Sequence, residues 1–384
     1  MAEQHSSIWP TVIDWGKGKA LNTRQRELLQ SWLQSNGQLE GWLSVAKTSD
    51  SSLDEAFTER GALLQRVVRQ LEKGVIALPL AGDWTNWIDP LWRLWIPLAL
   101  RIDAEARALN QPFVQGILGA QGTGKSTLSR ILQLLLGCLG QRAVVLSIDD
   151  LYLTYAERCE LQKSDPRLVW RGPPGTHDVA LGIEVLTKIC QGETVVALPR
   201  FDKSLHQGRG DRTTPLTVHT PTIVLFEGWF VGALPLPNSQ LNSQLNNDTF
   251  TFPPPIETLA DQQFAKDCNR RLRSYLPLWA LLHSLVILRP KDYRWSLQWR
   301  QAAEERMIAA GKTGLSAAEI RDFVLYFWKA LHPELFITPL TQRTKPSGGK
   351  DNQINYKPSL VINICRNHQV GSLHLSLGGH FKRV

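Results

Sequence analysis

The chain has 384 residues, of which 43% are hydrophobic and 20% charged, and this ordinary usage excludes a disordered chain, a collagen and a coiled coil. Its length predicts about two domains, or one large α/β domain with additions. The net charge of +8 comes from scattered basic residues. Because anionic small substrates explain that charge as well as nucleic acid does, we expect no nucleic-acid partner.

The lack of a recognisable targeting signal and the spacing of the cysteines predict an intracellular protein. The first residues lack a basic region followed by an apolar core, and the longest apolar stretch, 84–100, is interrupted by Asp89, Pro90 and Arg93. We therefore expect no secretory signal and no membrane span. The five cysteines are far apart and form no CxxC pair. This pattern predicts reduced thiols in a cytoplasmic protein, without zinc or disulfides.

Residues 1–110 have helical periodicity. Ser52 and Glu55 form a capping box ahead of one helix. Eight of the fourteen tryptophans fall in this region, and side chains of that size need a partner surface. We predict a packed, Trp-rich helical N-terminal subdomain over 1–110.

From residue 111 the pattern alternates between strands and helices. Apolar runs predict strands at 113–118, 143–148, 195–198, 223–226 and 285–288, and a last strand at 360–364. Continuous apolar strands between helices are typical of a parallel sheet covered on both faces, so 111–384 is predicted to be an α/β domain. The polar, proline-containing segment 235–256, with its tandem Asn-Ser-Gln-Leu repeat, predicts a flexible surface insertion.

Residues 119–126 read GAQGTGKS and match the phosphate-loop pattern GxxxxGK(S/T) between a strand and a helix. Backbone N–H groups of such a loop surround phosphate oxygens, and the helix N-terminus adds its positive end. Lys125 would reach the β- and γ-phosphates of ATP, and Ser126 would bind Mg²⁺. The predicted ATP-binding residues are Gly119, Ala120, Gln121, Gly122, Thr123, Gly124, Lys125, Ser126 and Thr127.

Three carboxylates follow predicted strands. Asp149 and Asp150 come directly after the second strand, and Glu227 ends the fourth. At the carboxyl edge of a parallel sheet one acid can accept a hydroxyl proton and others can hold magnesium. We expect Asp150 and Glu227 to serve the metal with Ser126. The alternatives are a helix N-cap for Asp150 and a structural acid for Glu227.

A basic loop lies between these acids, at 199–212. Its arginines, which include Arg209 and Arg212, could bind a carboxylate or a phosphate, and a solvated charged loop is an equal alternative.

The motifs SIDDLYLT, RGPPGTHD, LPRFDKS with GRGDR, and LFEGW follow the phosphate loop in this order, and together they resemble plant-type D-glycerate 3-kinase. The resemblance covers about 111–340. It implies the fold of a P-loop kinase, with a mostly parallel central sheet flanked by helices. It also implies phosphorylation of D-glycerate to 3-phosphoglycerate with ATP and Mg²⁺.

The same resemblance implies roles for individual residues. Asp149 would be the base, and Arg209, Arg212, His177 and Asp178 would line the acceptor site. Arg300 would assist from a helical lid at 292–331, where Trp299, Arg300 and Glu304 match a WRxxxE pattern. The segment 323–331 departs from the family pattern, because it lacks an expected arginine and a proline-centred turn.

Two other functions compete with a glycerate kinase. The first is a related kinase for a nucleoside or a sugar phosphate, and the second is an ATP-binding switch or assembly factor. A GTPase is disfavoured because the chain has no NKxD motif. A pure switch needs no acceptor base, so the paired carboxylates favour a kinase. No feature of the sequence specifies an oligomeric state.

Overall fold

The computed structural model describes residues 8–35, 53–78, 80, 82–237, 241, 251–309, 311, 314–341, 358–377 and 380–383. Its strands are β1 (Phe113–Gly119), β2 (Ala143–Ser147), β3 (Val195–Asp202), β4 (Asp211–His219), β5 (Ile223–Gly228), β6 (Ser284–Pro290), β7 (Pro358–Ile364), β8 (Val370–Leu377) and β9 (His380–Arg383). Seven strands form one sheet in the order β2-β5-β1-β6-β7-β8-β9. Strands β2, β5, β1, β6 and β7 run parallel to one another, and β8 and β9 add antiparallel strands at one edge.

Within the described residues, ten longer helices surround this sheet. They are α1 (Trp9–Gly16), α2 (Thr23–Ser35), α3 (Leu53–Glu72), α4 (Ile96–Leu109), α5 (Lys125–Cys138), α6 (Tyr155–Ser164), α7 (Val179–Cys190), α8 (Leu259–Leu272), α9 (Trp295–Ala309) and α10 (Ala317–Ala330). Shorter helical turns are Trp84–Trp87, Ile88–Pro90, Ile148–Leu151, Arg273–Tyr275, Leu276–Trp279, Pro333–Phe336 and Thr338–Thr341, and Leu91–Trp95 is a π-helical segment. A capping box of Ser316 with Glu319 starts α10. Ser52 lies outside the described residues.

Successive residues of the central strands point to opposite faces, and both faces are buried. In β1 and β5, Ile117 and Leu225 join a core with α5, whereas Leu118 and Phe226 join the core on the other face with α7 and α8. The mostly parallel sheet flanked by helices is therefore confirmed.

The N-terminal helices belong to the core that contains α5. Trp15 stacks on Phe57 at 4.9 Å and meets Trp92 edge to face at 5.6 Å. The same cluster continues into the inner residues of α5, Leu128, Ile131 and Leu132. These helices therefore cover one face of the α/β unit instead of forming a core of their own.

The structure corrects the prediction for the third strand. β3 pairs only with β4, antiparallel, in a separate two-stranded sheet. Val195 and Ala197 are exposed while Val196 and Leu198 are buried, so the apolar run covers one face only. The sequence analysis missed β4, which is mostly exposed and polar, and it also missed β8 and β9.

The predicted insertion at 235–256 is packed at its described ends. Leu236, Leu241 and Ile256 are buried, and the backbone of Leu236 exchanges two hydrogen bonds with the Asn269 amide. A surface segment therefore cannot include these residues. Positions 238–240 and 242–250, which hold most of the tandem repeat, lie outside the described residues. In the described part of the chain, no helix combines the length and apolarity that a membrane crossing requires.

Candidate active site

The phosphate loop joins β1 to α5 as predicted. Gly122 and Gly124 have φ values of 77° and 90°, which favour glycine. A Cβ on Gly122 would also lie 2.5 Å from the Cβ of Trp299 in α9. Lys125 Nζ donates to the Ala120 carbonyl at 3.1 Å, so the lysine folds back over its own loop. Burial lowers the pKa of Lys125, and the carboxylates of Glu227 and Asp149 oppose that shift.

Ser126 and Glu227 meet at the end of β5. Ser126 Oγ donates to Glu227 Oε1 at 2.9 Å, and Glu227 is 6% exposed. A hydroxyl and a carboxylate oxygen are ligands that Mg²⁺ accepts, with its remaining positions filled by phosphate and water. Among the described residues no cluster of three or more His, Cys, Asp or Glu could hold a metal alone. The Ser126 hydroxyl and the Glu227 carboxylate therefore fit a magnesium ion that also binds nucleotide phosphates.

Asp149 lies in the turn after β2 with both oxygens engaged. Oδ1 accepts from the Tyr152 hydroxyl at 2.8 Å, and Oδ2 pairs with Lys203 Nζ at 2.5 Å. Burial raises the pKa of Asp149, but the Lys203 ammonium and the Tyr152 hydroxyl outweigh burial, and the pKa falls to about 2. Asp149 is therefore an ionised carboxylate held near Lys125.

Asp150 has a structural environment. Its carboxylate accepts from the backbone N–H groups of Ser147 and Phe201 at 3.1 and 3.3 Å, and from Arg200 Nη1 at 3.1 Å. These contacts close a capping box and fix β3 against the turn after β2. Both oxygens have donors, and Asp150 is the third residue of a helical turn whose N-cap is Ser147. These contacts favour a structural role for Asp150, and its metal role stays a prediction.

Arg212 and Asp178 bind each other at 2.9 Å. Asp178 also caps α7 by accepting from Leu181 N, and Arg212 Nε donates to the Tyr152 carbonyl. The structure thus places both predicted acceptor residues in an ion pair that links β4 to the start of α7. Arg209 is exposed in the β3–β4 loop.

His177 is buried at the centre of an aromatic cluster. Its ring stacks on Tyr152 at 4.6 Å and meets Tyr275 and Phe230 edge to face. The Tyr275 oxygen accepts from the Gly175 backbone N–H at 2.9 Å and lies 2.8 Å from His177 Nδ1. Burial lowers the pKa of His177 to about 3, so the ring is neutral. Within the described residues Nε2 has no hydrogen-bond partner.

The lid residue Arg300 is paired inside its own helix. Arg300 Nη2 lies 2.7 Å from Glu304 Oε2, and Glu304 is 2% exposed. Its guanidinium carbon lies 5.9 Å from the centre of the Phe323 ring of α10. The structure therefore brings Arg300 together with Glu304 and α10, and Trp299 is the α9 residue in contact with the phosphate loop.

A second contact to the phosphate loop comes from the β7–β8 hairpin. His368 Nε2 lies 2.8 Å from the Gly122 carbonyl, and the His368 ring lies 4.6 Å from Trp299. Trp299 Nε1 donates to the Arg366 carbonyl at 2.8 Å. The hairpin thus connects α9 to the phosphate loop.

A cavity of about 290 Å³ opens beside Ala120 and Gln121. Aromatic side chains of α10 and of the segment after β5 line it, among them Trp229, Phe327 and Trp328. Its volume is near the lower end for small-molecule sites. Aromatic residues of 323–331, the segment that departs from the expected family pattern, therefore line this cavity.

Sequence reasoning missed the residues that complete the site. Lys203 stands in the quoted LPRFDKS motif and Tyr152 in SIDDLYLT, and both motifs could have drawn attention to them. Tyr275 and His368 stand in no motif, and only the folded chain brings them to the site.

Together, the phosphate loop, the Ser126–Glu227 pair and the acid after β2 define the class of this protein: a P-loop kinase. No protein-family model matches the chain. It is 32% identical to an uncharacterized kinase of Schizosaccharomyces pombe over 235 residues, which cover 59% of this chain and 82% of that protein. It is also 32% identical to the chloroplastic D-glycerate 3-kinase of Arabidopsis thaliana over 239 residues, 59% of this chain and 49% of that enzyme.

A solved structure of D-glycerate 3-kinase from Cryptococcus neoformans superposes with a TM-score of 0.61 at 26% identity, covering 72% of this chain and 96% of that chain. The chain belongs to the P-loop kinase family that contains the S. pombe kinase and D-glycerate 3-kinase, within the wider group that includes pantothenate kinase.

Proposed function

We propose that this kinase transfers the γ-phosphoryl group of ATP to the 3-hydroxyl of D-glycerate, giving 3-phosphoglycerate. The observation that carries the proposal is the Asp149–Lys203 pair beside the phosphate loop, in a chain similar to D-glycerate 3-kinases. An acid there suits a hydroxyl acceptor, and a cation there suits an acceptor that is itself anionic.

Each residue of the site has a separate role in the proposed phosphoryl transfer. The phosphate loop and Lys125 hold the triphosphate, and Ser126 with Glu227 would hold Mg²⁺, which when bound neutralises charge on the phosphate oxygens. The acceptor oxygen attacks the γ-phosphorus as its proton passes to Asp149. The new O–P bond forms while the bond to the β–γ bridging oxygen breaks, and ADP leaves. Lys125 stabilises the charge that develops on the transferring group.

The remaining assignments are also proposals. Arg209 and His177 Nε2 would bind the acceptor. The ion pair of Arg212 with Asp178 would shape the acceptor site. Arg300 would act on the transferring group only after separating from Glu304, so we propose a rearrangement of α9 for that role.

An ATP-consumption assay over hydroxy acids, nucleosides and sugar phosphates tests the proposal. We expect D-glycerate to give the highest kcat/KM, with the phosphate on the 3-position by NMR. A nucleoside or sugar phosphate as the preferred acceptor would replace the substrate but keep the kinase. ATP turnover that no acceptor stimulates would instead favour a switch protein.

A further inference from the structure

We propose that Lys203 recognises the carboxylate of the acceptor, and that its move from Asp149 to that carboxylate frees the base for catalysis. The inference deepens the proposed function and rests on it. It names carboxylated hydroxy compounds as the substrate class and a charge exchange as the reason.

The first step concerns which partner of Asp149 can leave. Tyr152 is 3% exposed and is held between the rings of His177 and Phe201. The Lys203 side chain is 58% exposed and follows the last residue of β3. Its backbone position is fixed, because Asp202 Oδ1 accepts from both the N–H and the hydroxyl of Ser204. The backbone of Lys203 is therefore fixed, whereas its ammonium group can move.

The second step concerns the other cations around the site. Arg158 and Arg171 donate to the backbone carbonyls of the β3–β4 loop at Gly208, Arg209 and Gly210. Arg200 pairs with Asp150, and Arg212 pairs with Asp178. Arg158 and Arg171 thus hold the β3–β4 loop in place, while Arg200 and Arg212 are committed to carboxylates outside it. Arg209 is exposed in the same loop and, as a proposed acceptor ligand, would act beside Lys203. Lys203 is paired with the one acid that must be free for chemistry.

The third step concerns what draws Lys203 away. Asp149 Oδ2 is a weaker proton acceptor while the ammonium neutralises its charge and occupies one of its lone pairs. A hydroxy acid brings its own carboxylate within a few bonds of the reacting hydroxyl. That carboxylate lies within reach of a side chain that itself contacts Asp149, and it offers Lys203 an equivalent partner. A neutral polyol brings no such group, so Lys203 stays paired with Asp149 and the carboxylate remains a weak base.

Kinetics of Lys203→Gln with D-glycerate and with glycerol test this exchange. Glycerol replaces the carboxylate by a hydroxymethyl group and keeps the other carbons. We expect kcat/KM for D-glycerate to fall roughly 10–100-fold, the range for losing one charge-assisted hydrogen bond. The value for glycerol should stay the same or rise. Lys203→Arg should restore part of the preference for D-glycerate.

Lys163→Gln is the matched control, because Lys163 pairs with Glu160 at 2.6 Å on the exposed face of α6. It should leave both acceptors unchanged. An equal fall for D-glycerate and glycerol in Lys203→Gln would overturn the inference, since Lys203 would then act on the phosphoryl group. A wild-type chain that uses glycerol as well as D-glycerate would overturn it too. If wild type instead prefers another carboxylated acceptor whose turnover Lys203→Gln lowers, the proposed substrate fails and the assignment of Lys203 stands.

Discussion

Asp149 and Asp150 are neighbours with different surroundings, so the same substitution in each should give opposite results. Asp149→Asn should lower kcat about 10²–10⁴-fold, which is the usual contribution of a general base and roughly 3–5 kcal/mol of barrier. The new amide oxygen can still accept from the Tyr152 hydroxyl. The lost pair involves a Lys203 side chain that is 58% exposed, so the loss of stability should stay below about 1 kcal/mol.

Asp150→Asn should reverse this pattern. The carboxylate accepts from two backbone N–H groups and from Arg200, and an amide would turn its NH₂ group towards at least one of these donors. An unsatisfied partly buried donor costs roughly 1–3 kcal/mol, so the melting temperature should fall by several degrees. The kcat should stay within a few fold of wild type.

Steady-state kinetics with D-glycerate and calorimetric melting of the same preparations separate the two effects. A slow but stable Asp150→Asn, together with an active but unstable Asp149→Asn, would show that the base and the capping acid are exchanged. If neither variant is slow, proton transfer does not pass through this turn.

Three further predictions follow from the core and the site. Lys125→Ala should abolish phosphoryl transfer in a folded protein, because Lys125 lies over the phosphate loop, where we propose that it holds the triphosphate; near wild-type turnover would refute the nucleotide site. A truncated chain of 111–384 should aggregate or melt far below the whole chain, because the N-terminal helices cover Leu128, Ile131 and Leu132; a soluble, active fragment would show an independent domain. The free energy of unfolding should fall as the pH drops from about 6.5 towards 4, since burial lowers the pKa of His177 to about 3 and of His332 to about 4, and only the unfolded chain takes up these protons. In urea denaturation His332→Gln should remove one histidine's share of that slope, at most about 1.4 kcal/mol per pH unit; an unchanged slope would contradict this explanation.

Much of the fold could be predicted from local patterns. Strands β1, β5 and β6 are buried on both faces and read as unbroken apolar runs, so their place in a parallel sheet was correct. The run at β3 looks the same in sequence, although only Val196 and Leu198 face the core. Local composition cannot distinguish these cases, because the number of buried faces depends on partners elsewhere in the chain.

The candidate site shows the same division. The phosphate loop and the carboxylates at strand ends follow from spacing, because one strand and one turn place each of them. The pairing of Lys203 with Asp149 and the contact of His177 with Tyr275 join segments that are 54 and 98 residues apart. Since two adjacent aspartates have the same composition and spacing, only their partners distinguish a base from a cap.

The two-stranded sheet of β3 and β4 has an evolutionary consequence. It carries the loop with Lys203 and Arg209, yet it shares no backbone ladder with the seven-stranded sheet that carries the phosphate loop. Changes in the length or sequence of this two-stranded sheet would leave the strand register around the nucleotide intact. With the proposed roles of Lys203 and Arg209, related kinases could evolve a different acceptor through changes in this two-stranded sheet, without altering the strands around the nucleotide.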